Sequence, residues 1–133
     1  MKHFTTFWIL LALGLCGCSD AARPPVQFLQ QLSAADRLEA TNSYYAFGAS
    51  ITGADVRSFI AAIVSARKKT YGTDMDWANP RTWDVEFYAG TNHLAGLLIS
   101  HEVFKMGRVE YTDANGVTMR LWEKLEAMRP NSY

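Results

Sequence analysis

RTWDVEFYAGTNHLAGLLIS, residues 81–100, decides the fold. Its first half alternates, with Trp83, Val85 and Phe87 on one side and Asp84, Glu86 and Tyr88 on the other. A period of two sends successive side chains to opposite faces of a strand, so residues 81–90 are predicted to form a strand with one buried and one wetted face. Ala89-Gly90-Thr91-Asn92 follows with turn chemistry, which predicts a hairpin. The second half, residues 93–100, is more uniformly apolar, as a central strand would be. Gly96 inside it predicts a bulge or a close approach of another group.

Downstream of this hairpin, residues 102–104 and 108–111 read as two further short strands around Lys105-Met106-Gly107, and Asp113-Ala114-Asn115-Gly116 reads as a turn. Val117, Leu121, Leu125 and Met128 recur at helical spacing with Trp122 beside them, which predicts a helix over residues 117–128 that Pro130 ends. Upstream, residues 38–47 are rich in aromatic residues and nearly alternating, so they are predicted to form one strand that Gly48 and Ser50 terminate. Thr52 and Asp55 resemble a capping box with Asp in place of Glu. Val56, Phe59, Ile60, Ile63 and Val64 then mark a helix whose C-terminal end would carry Arg67, Lys68 and Lys69 and stop at Gly72. A brief helix is expected over residues 26–32, with Val26, Leu29 and Phe28 toward the body. The expected class is α+β: a mostly antiparallel sheet of four or five strands with two main helices packed on one face.

The first 20 residues, MKHFTTFWILLALGLCGCSD, have a different character. Lys2 provides a short positive start, and residues 4–15 are mostly apolar and uncharged. A spanning helix needs roughly 20 apolar residues, so this run reads as a secretory signal rather than a membrane span. Leu15-Cys16-Gly17-Cys18 resembles the lipobox of bacterial lipoproteins. That resemblance implies diacylglyceryl transfer to the Cys18 thiol, cleavage between Gly17 and Cys18, and acylation of the new amino terminus. The division expected is a signal peptide over residues 1–17, a lipidated tether over residues 18–25 and one α+β domain over residues 26–133. The location implied is the cell envelope, and Ser19 after the Cys points to the periplasmic face of the outer membrane if the host is Gram-negative.

Composition narrows the function. Loss of residues 1–17 leaves 116 of the 133 residues, one domain's worth of chain, with Cys18 as the only cysteine. Such a domain folds on packing, without a disulfide. Lys2 is the one charge lost, so 12 basic and 13 acidic residues remain, interspersed, and no basic stripe marks a nucleic-acid partner. No nucleophile or metalloprotease motif and no phosphate-cradling glycine loop is present, so no catalytic residue, metal or cofactor is assigned. His93 and His101 would need two more ligands for a metal, with Asp84 or Glu86 as a carboxylate source, and otherwise read as solvent-facing strand-end histidines.

Residues 71–80, YGTDMDWANP, form the longest irregular segment and the first place to look for function. Asp74 and Asp76 there are turn formers, a weak calcium site or, least of all, an acid/base pair. With Trp77, the strand face of Asp84, Glu86 and Tyr88, and Tyr44 or Tyr45, they form the candidate binding surface. The expected function is a non-enzymatic, membrane-anchored envelope lipoprotein that binds a protein or another envelope component. The alternative is an inhibitor or immunity protein against an envelope-acting hydrolase or toxin, whose Asp74-Asp76-Trp77 loop would plug a cleft. A third option is a small-ligand carrier or hydrolase using His93 or His101.

Overall fold

A computed structural model describes residues 22–130. The Leu15–Cys18 motif, with the expected lipidation site Cys18 and the expected cleavage residue Gly17, therefore lies outside the described residues. The elements, in chain order, are α1 (Val26–Leu32), β1 (Arg37–Asn42), β2 (Phe47–Thr52), α2 (Ala54–Ser65), β3 (Arg67–Lys68), β4 (Trp83–Ala89), β5 (Asn92–Ser100), β6 (Val103–Met106), β7 (Val109–Thr112) and α3 (Val117–Met128). The class is α+β. Seven strands, rather than four or five, form one antiparallel sheet in the order β2-β1-β4-β5-β6-β7-β3, and three helices accompany it.

The hairpin over residues 81–100 is the centre of that sheet. Trp83, Val85 and Phe87 are fully buried, and Asp84 pairs in register with Leu98, Glu86 with Gly96 and Tyr88 with His93. The register slips between Phe87 and Tyr88, leaving Leu94 as the extra residue of a bulge. Gly96 is a site of close approach: the Glu86 carboxylate lies over it, where a Cβ would come within 2.3 Å of Glu86 Oε2. The helices cover the face that holds Leu38, Ala40, Ile51, Val85, Leu97, Ile99 and Phe104, and they add Leu32, Val56, Phe59, Ile63, Leu121 and Leu125 to one core. Phe59 stacks on Phe87 at 6.0 Å and meets Phe104 edge-on at 6.3 Å, which fixes α2 across the middle of the sheet.

Four local expectations are corrected. Residues 38–47 are not one strand. Residues 43–46 turn back, so β2 pairs with β1 from Asn42↔Phe47 to Arg37↔Thr52, and β1 sits between β2 and β4. Asn42 causes the turn: its Oδ1 accepts from the backbone N–H groups of Tyr44 at 3.1 Å and Tyr45 at 3.3 Å. Thr52 does not cap α2, because it is still in β2. Gly53, at φ +73°, makes the corner instead, a conformation that favours glycine. Nor does α2 run on to Gly72. Ser65 Oγ bonds back to the Ala61 and Ala62 carbonyls, Ala66 is extended and fully buried, and Arg67 and Lys68 leave as the edge strand β3 against β7. Finally, Val26 is exposed, while Leu32 is the fully buried residue of α1.

Residues 117–128 form the predicted helix, and its start is built by Asp113. Asp113 Oδ1 accepts from Val117 N–H at 2.8 Å, and Oδ2 accepts from Thr118 N–H at 3.0 Å and from the Thr118 hydroxyl. These bonds satisfy donors that the first turn leaves unpaired. Burial pushes the Asp113 carboxyl up, but the bonds from Thr118, Val117 and Asn115 outweigh it and hold it below the usual carboxylate range. No helix among the described residues is long and apolar enough to cross a membrane.

Candidate functional site

The loop over residues 69–82 runs from Glu110 in β7, which holds Lys69, Met75 and Trp77, to Asn42 at the end of β1, which holds Pro80. The loop is fastened at its start by Glu110, in β7. That carboxylate is buried. Its Oε1 lies 2.8 Å from Lys69 Nζ, and its Oε2 accepts from the Met75 backbone N–H at 2.8 Å and the Trp77 indole N–H at 2.7 Å. Burial raises the Glu110 carboxyl, but Lys69, Met75 and Trp77 together bring it below the ordinary carboxylate range. Lys105 Nζ stands 6.0 Å from the Trp77 ring centre. Trp77 is therefore half-buried and committed to Glu110, not free at the loop tip.

The far end of the loop is held by Asn42. This side chain is fully buried, and its Nδ2 donates to the Pro80 carbonyl at 2.8 Å while its Oδ1 holds the residue 43–46 turn. One amide thus fixes both the turn and the end of the loop. Between them lies a cavity of about 390 Å³ lined by Ser43, Tyr44, Trp77, Asn79, Asp84 and Leu98. Replacing Asn42 with Ala would leave the Pro80 carbonyl and the turn N–H groups without a partner. Urea unfolding of Asn42→Ala is expected to show a loss of about 2 kcal/mol, because an unsatisfied buried polar group costs about 1–3 kcal/mol.

Three of the sequence-predicted residues, Tyr44, Trp77 and Asp84, meet at this cavity. Tyr44 is 69% exposed and stands edge-on to Tyr45 at 5.0 Å. Asp84 has its carboxyl raised, by burial first and by the nearby Glu86 second. Glu86 and Tyr88 share the face but belong to a neighbouring cluster. His93 Nε2 lies 2.5 Å from Glu86 Oε2, the Tyr88 and His93 rings meet edge-on at 5.4 Å, and the Arg37 guanidinium lies 4.8 Å over the Tyr88 ring. Asp74 and Asp76 are exposed on the loop, where Asp76 Oδ1 accepts from Ala78 N–H at 3.0 Å and shapes a turn. His93 is the second residue of β5, His101 lies just past the strand's end at Ser100 with φ +56°, and the His101 ring packs edge-on to Trp122 at 5.2 Å. Among the described residues, no three His, Cys, Asp or Glu side chains converge on one point.

Sequence reasoning missed Glu110, Lys69, Asn42 and Leu98. Asn42 had a signal, since Asn immediately before a Ser-containing segment is turn chemistry. Glu110 had none, because its partners Lys69 and Trp77 lie 41 and 33 positions away. A second hollow of about 370 Å³, between Asp36 and the Val56, Arg57 and Ile60 side of α2, contains none of the predicted residues. The first cavity offers two aromatic walls, a carboxylate and an amide, which suits stacking and hydrogen bonding to a guest group. No family model, curated protein or solved structure matches the chain.

Proposed function

We propose that this chain is a lipid-anchored envelope protein whose globule acts as a non-enzymatic binding module. Its lipid would be carried on Cys18, facing the periplasm from the outer membrane in a Gram-negative host. A protein, or another envelope component, would be received at the cleft between the Tyr44 turn and the Trp77 loop. The observation that carries the binding half is the placement of Tyr44, the most exposed large hydrophobic side chain described, beside Trp77 and Asp84 at one cavity. Aromatic side chains are enriched at recognition surfaces. The anchoring half rests on Leu15-Cys16-Gly17-Cys18. Two or more acyl chains on Cys18 would give stable attachment, where one chain holds only marginally.

Because Trp77 donates to Glu110, the loop presents Asp74 and Asp76 outward without its aromatic partner. That favours the cleft over the inhibitor reading, in which the loop itself plugs a hydrolase. Two experiments test the two halves. Palmitate labelling of cells should mark the wild-type chain and leave Cys18→Ala unlabelled, and equal labelling of both removes the anchor. Affinity capture from envelope extract should recover a partner with wild type and lose it with Tyr44→Ala. Tyr44 is the residue to change, since it is exposed and its removal leaves the Glu110 fastening intact. Equal capture by both chains removes the cleft from the proposal.

A further inference from the structure

We propose that the cleft takes the guanidinium of an arginine side chain carried by a protein partner, stacked on Tyr44 and paired with Asp84. The inference rests on the cleft reading above and adds the chemistry of the group received there. Its first support is a pattern that the fold repeats. The Arg37 guanidinium lies 4.8 Å over the Tyr88 ring while its Nε meets Glu39 Oε1 at 2.9 Å. The Arg129 guanidinium lies 3.9 Å over the Tyr45 ring while its Nη2 meets Glu126 Oε2 at 3.2 Å. Each of these two tyrosines has on its ring a guanidinium that a carboxylate also holds. A guanidinium suits both contacts, being planar for stacking and forked for a carboxylate. Tyr44 and Asp84 line one cavity and offer the same two partners, a phenol ring and a carboxylate. Among the described residues no cation lies over Tyr44, whose ring meets that of Tyr45, and Asp84 makes no hydrogen bond or ion pair.

The second support is the setting of Asp84. Glu86 is the next residue on the same face of β4, and Glu39 is the β1 partner of Glu86. The cations of the region lie against other groups or in solvent. Arg37 is on Glu39 and Tyr88, and Lys105 stands at the Trp77 ring in register with Glu110. Arg81, three residues before Asp84, is exposed and contacts neither Tyr44 nor Asp84. Burial, and after it Glu86, push the Asp84 carboxyl up, and a cation bound there opposes both. Thr82 lines the same cavity, and its buried hydroxyl oxygen has no hydrogen-bond partner, so the wall carries a further acceptor. At about 390 Å³ the cavity is of a size that small guest groups occupy.

Carboxyl footprinting of the full chain in neutral detergent tests this directly. Carboxylates are coupled to glycine ethyl ester with a carbodiimide, and each site is read by mass spectrometry. Asp84 is exposed and therefore open to the reagent. The probes are N-acetyl-L-argininamide and N-acetyl-L-citrullinamide, its neutral analogue of closely similar shape, at ionic strength matched with NaCl. Asp84 labelling should fall about threefold in roughly 50 mM argininamide, as a single site of about 20 mM Kd requires, and should not change in citrullinamide. Asp74 and Asp76, exposed on the loop, report general screening and should not change with either probe. Tyr44→Ala should remove most of the protection, because the ring is one of the two contacts. Equal effects of the two probes overturn the proposal. So does an equal loss of labelling at Asp74 and Asp76, and so does protection that Tyr44→Ala leaves intact. The cleft itself is judged separately, by capture from envelope extract. Capture that needs Tyr44, together with no argininamide protection of Asp84, retains the cleft and rejects the guanidinium.

Discussion

Glu110→Ala should lower the unfolding free energy by about 3–4 kcal/mol and release the Trp77 loop. Removing one member of a buried ion pair costs about 3–5 kcal/mol, because the other charge is left without compensation. The partner here is Lys69, whose side chain is 8% exposed, and it is pinned further by a 3.0 Å bond to the Thr73 carbonyl. The Met75 amide and the Trp77 indole lose their acceptor in the same substitution. Typical domains are stable by about 5–15 kcal/mol, so the effect is a large share of the total. Glu110→Gln keeps an oxygen for Met75 and Trp77 but removes the charge, and should lose roughly half as much. Urea unfolding gives the energies, and fast hydrogen exchange at the Met75 amide reports loop release. An unchanged urea midpoint in Glu110→Ala would show that the loop is held by something other than this carboxylate.

The same residue gives a pH dependence with a fixed sign. The folded-state pKa of Glu110 is depressed, because Lys69 and two N–H donors outweigh burial. A depressed carboxylate contributes stability above its unfolded pKa, about 4.3 for Glu, and loses it as pH falls through the folded value. The stability gap between wild type and Glu110→Gln should therefore be level from neutral pH down to about pH 5 and close below that. Asp113 is depressed for a similar reason, through the first turn of α3, and adds acid sensitivity in the same direction. Denaturant titrations across the acid range measure both.

Much of the architecture was legible because it is written in short-range pattern. Trp83, Val85 and Phe87 alternate with Asp84 and Glu86, and the core does lie on the Trp83 side. The helix over residues 117–128 was bounded correctly because its apolar stripe and Pro130 agree. What failed were places where a local signal had a second solution. Arg67 and Lys68 suit a helix C-terminus electrostatically, yet pairing with Thr112 and Tyr111 places them in a strand. Tyr44 and Tyr45 have the composition of a strand, yet the Asn42 amide bends the chain there. Thr52 and Asp55 have cap spacing, yet Thr52 is used by β2. The candidate site was half legible: Tyr44, Trp77 and Asp84 have the residue types of a surface, but the Glu110 and Asn42 fastenings that assemble it are long-range. Local reading finds Tyr44, Trp77 and Asp84 at the cavity and misses Leu98 on its wall and the Glu110 and Asn42 side chains that hold the loop beside it.

The second large effect expected is from Trp83→Ala, at about 3–5 kcal/mol, the range for deleting a buried aromatic side chain. Trp83 is fully buried at the start of β4, where the Trp77 loop ends. Its ring meets Phe47 edge-on at 6.0 Å, which joins β2 to β4 across β1. Its indole N–H donates to Glu126 Oε1 at 3.0 Å, Glu126 pairs with Arg129 at 3.2 Å, and the Arg129 guanidinium lies 3.9 Å over the Tyr45 ring. One side chain thus links the sheet to α3 and, through α3, to the turn that carries Tyr44. Trp83→Phe separates these roles. It keeps most of the apolar volume and loses the bond to Glu126, so about 1–2 kcal/mol should go, close to the value of a hydrogen bond to a charged group. Asp84 follows Trp83 directly and faces the cavity, so loosening this strand end also displaces the cavity wall. Trp83→Ala should then weaken partner capture even where the fold survives, while Trp83→Phe should retain it. Equal stability losses in the two variants would assign the effect to the indole N–H rather than to packing.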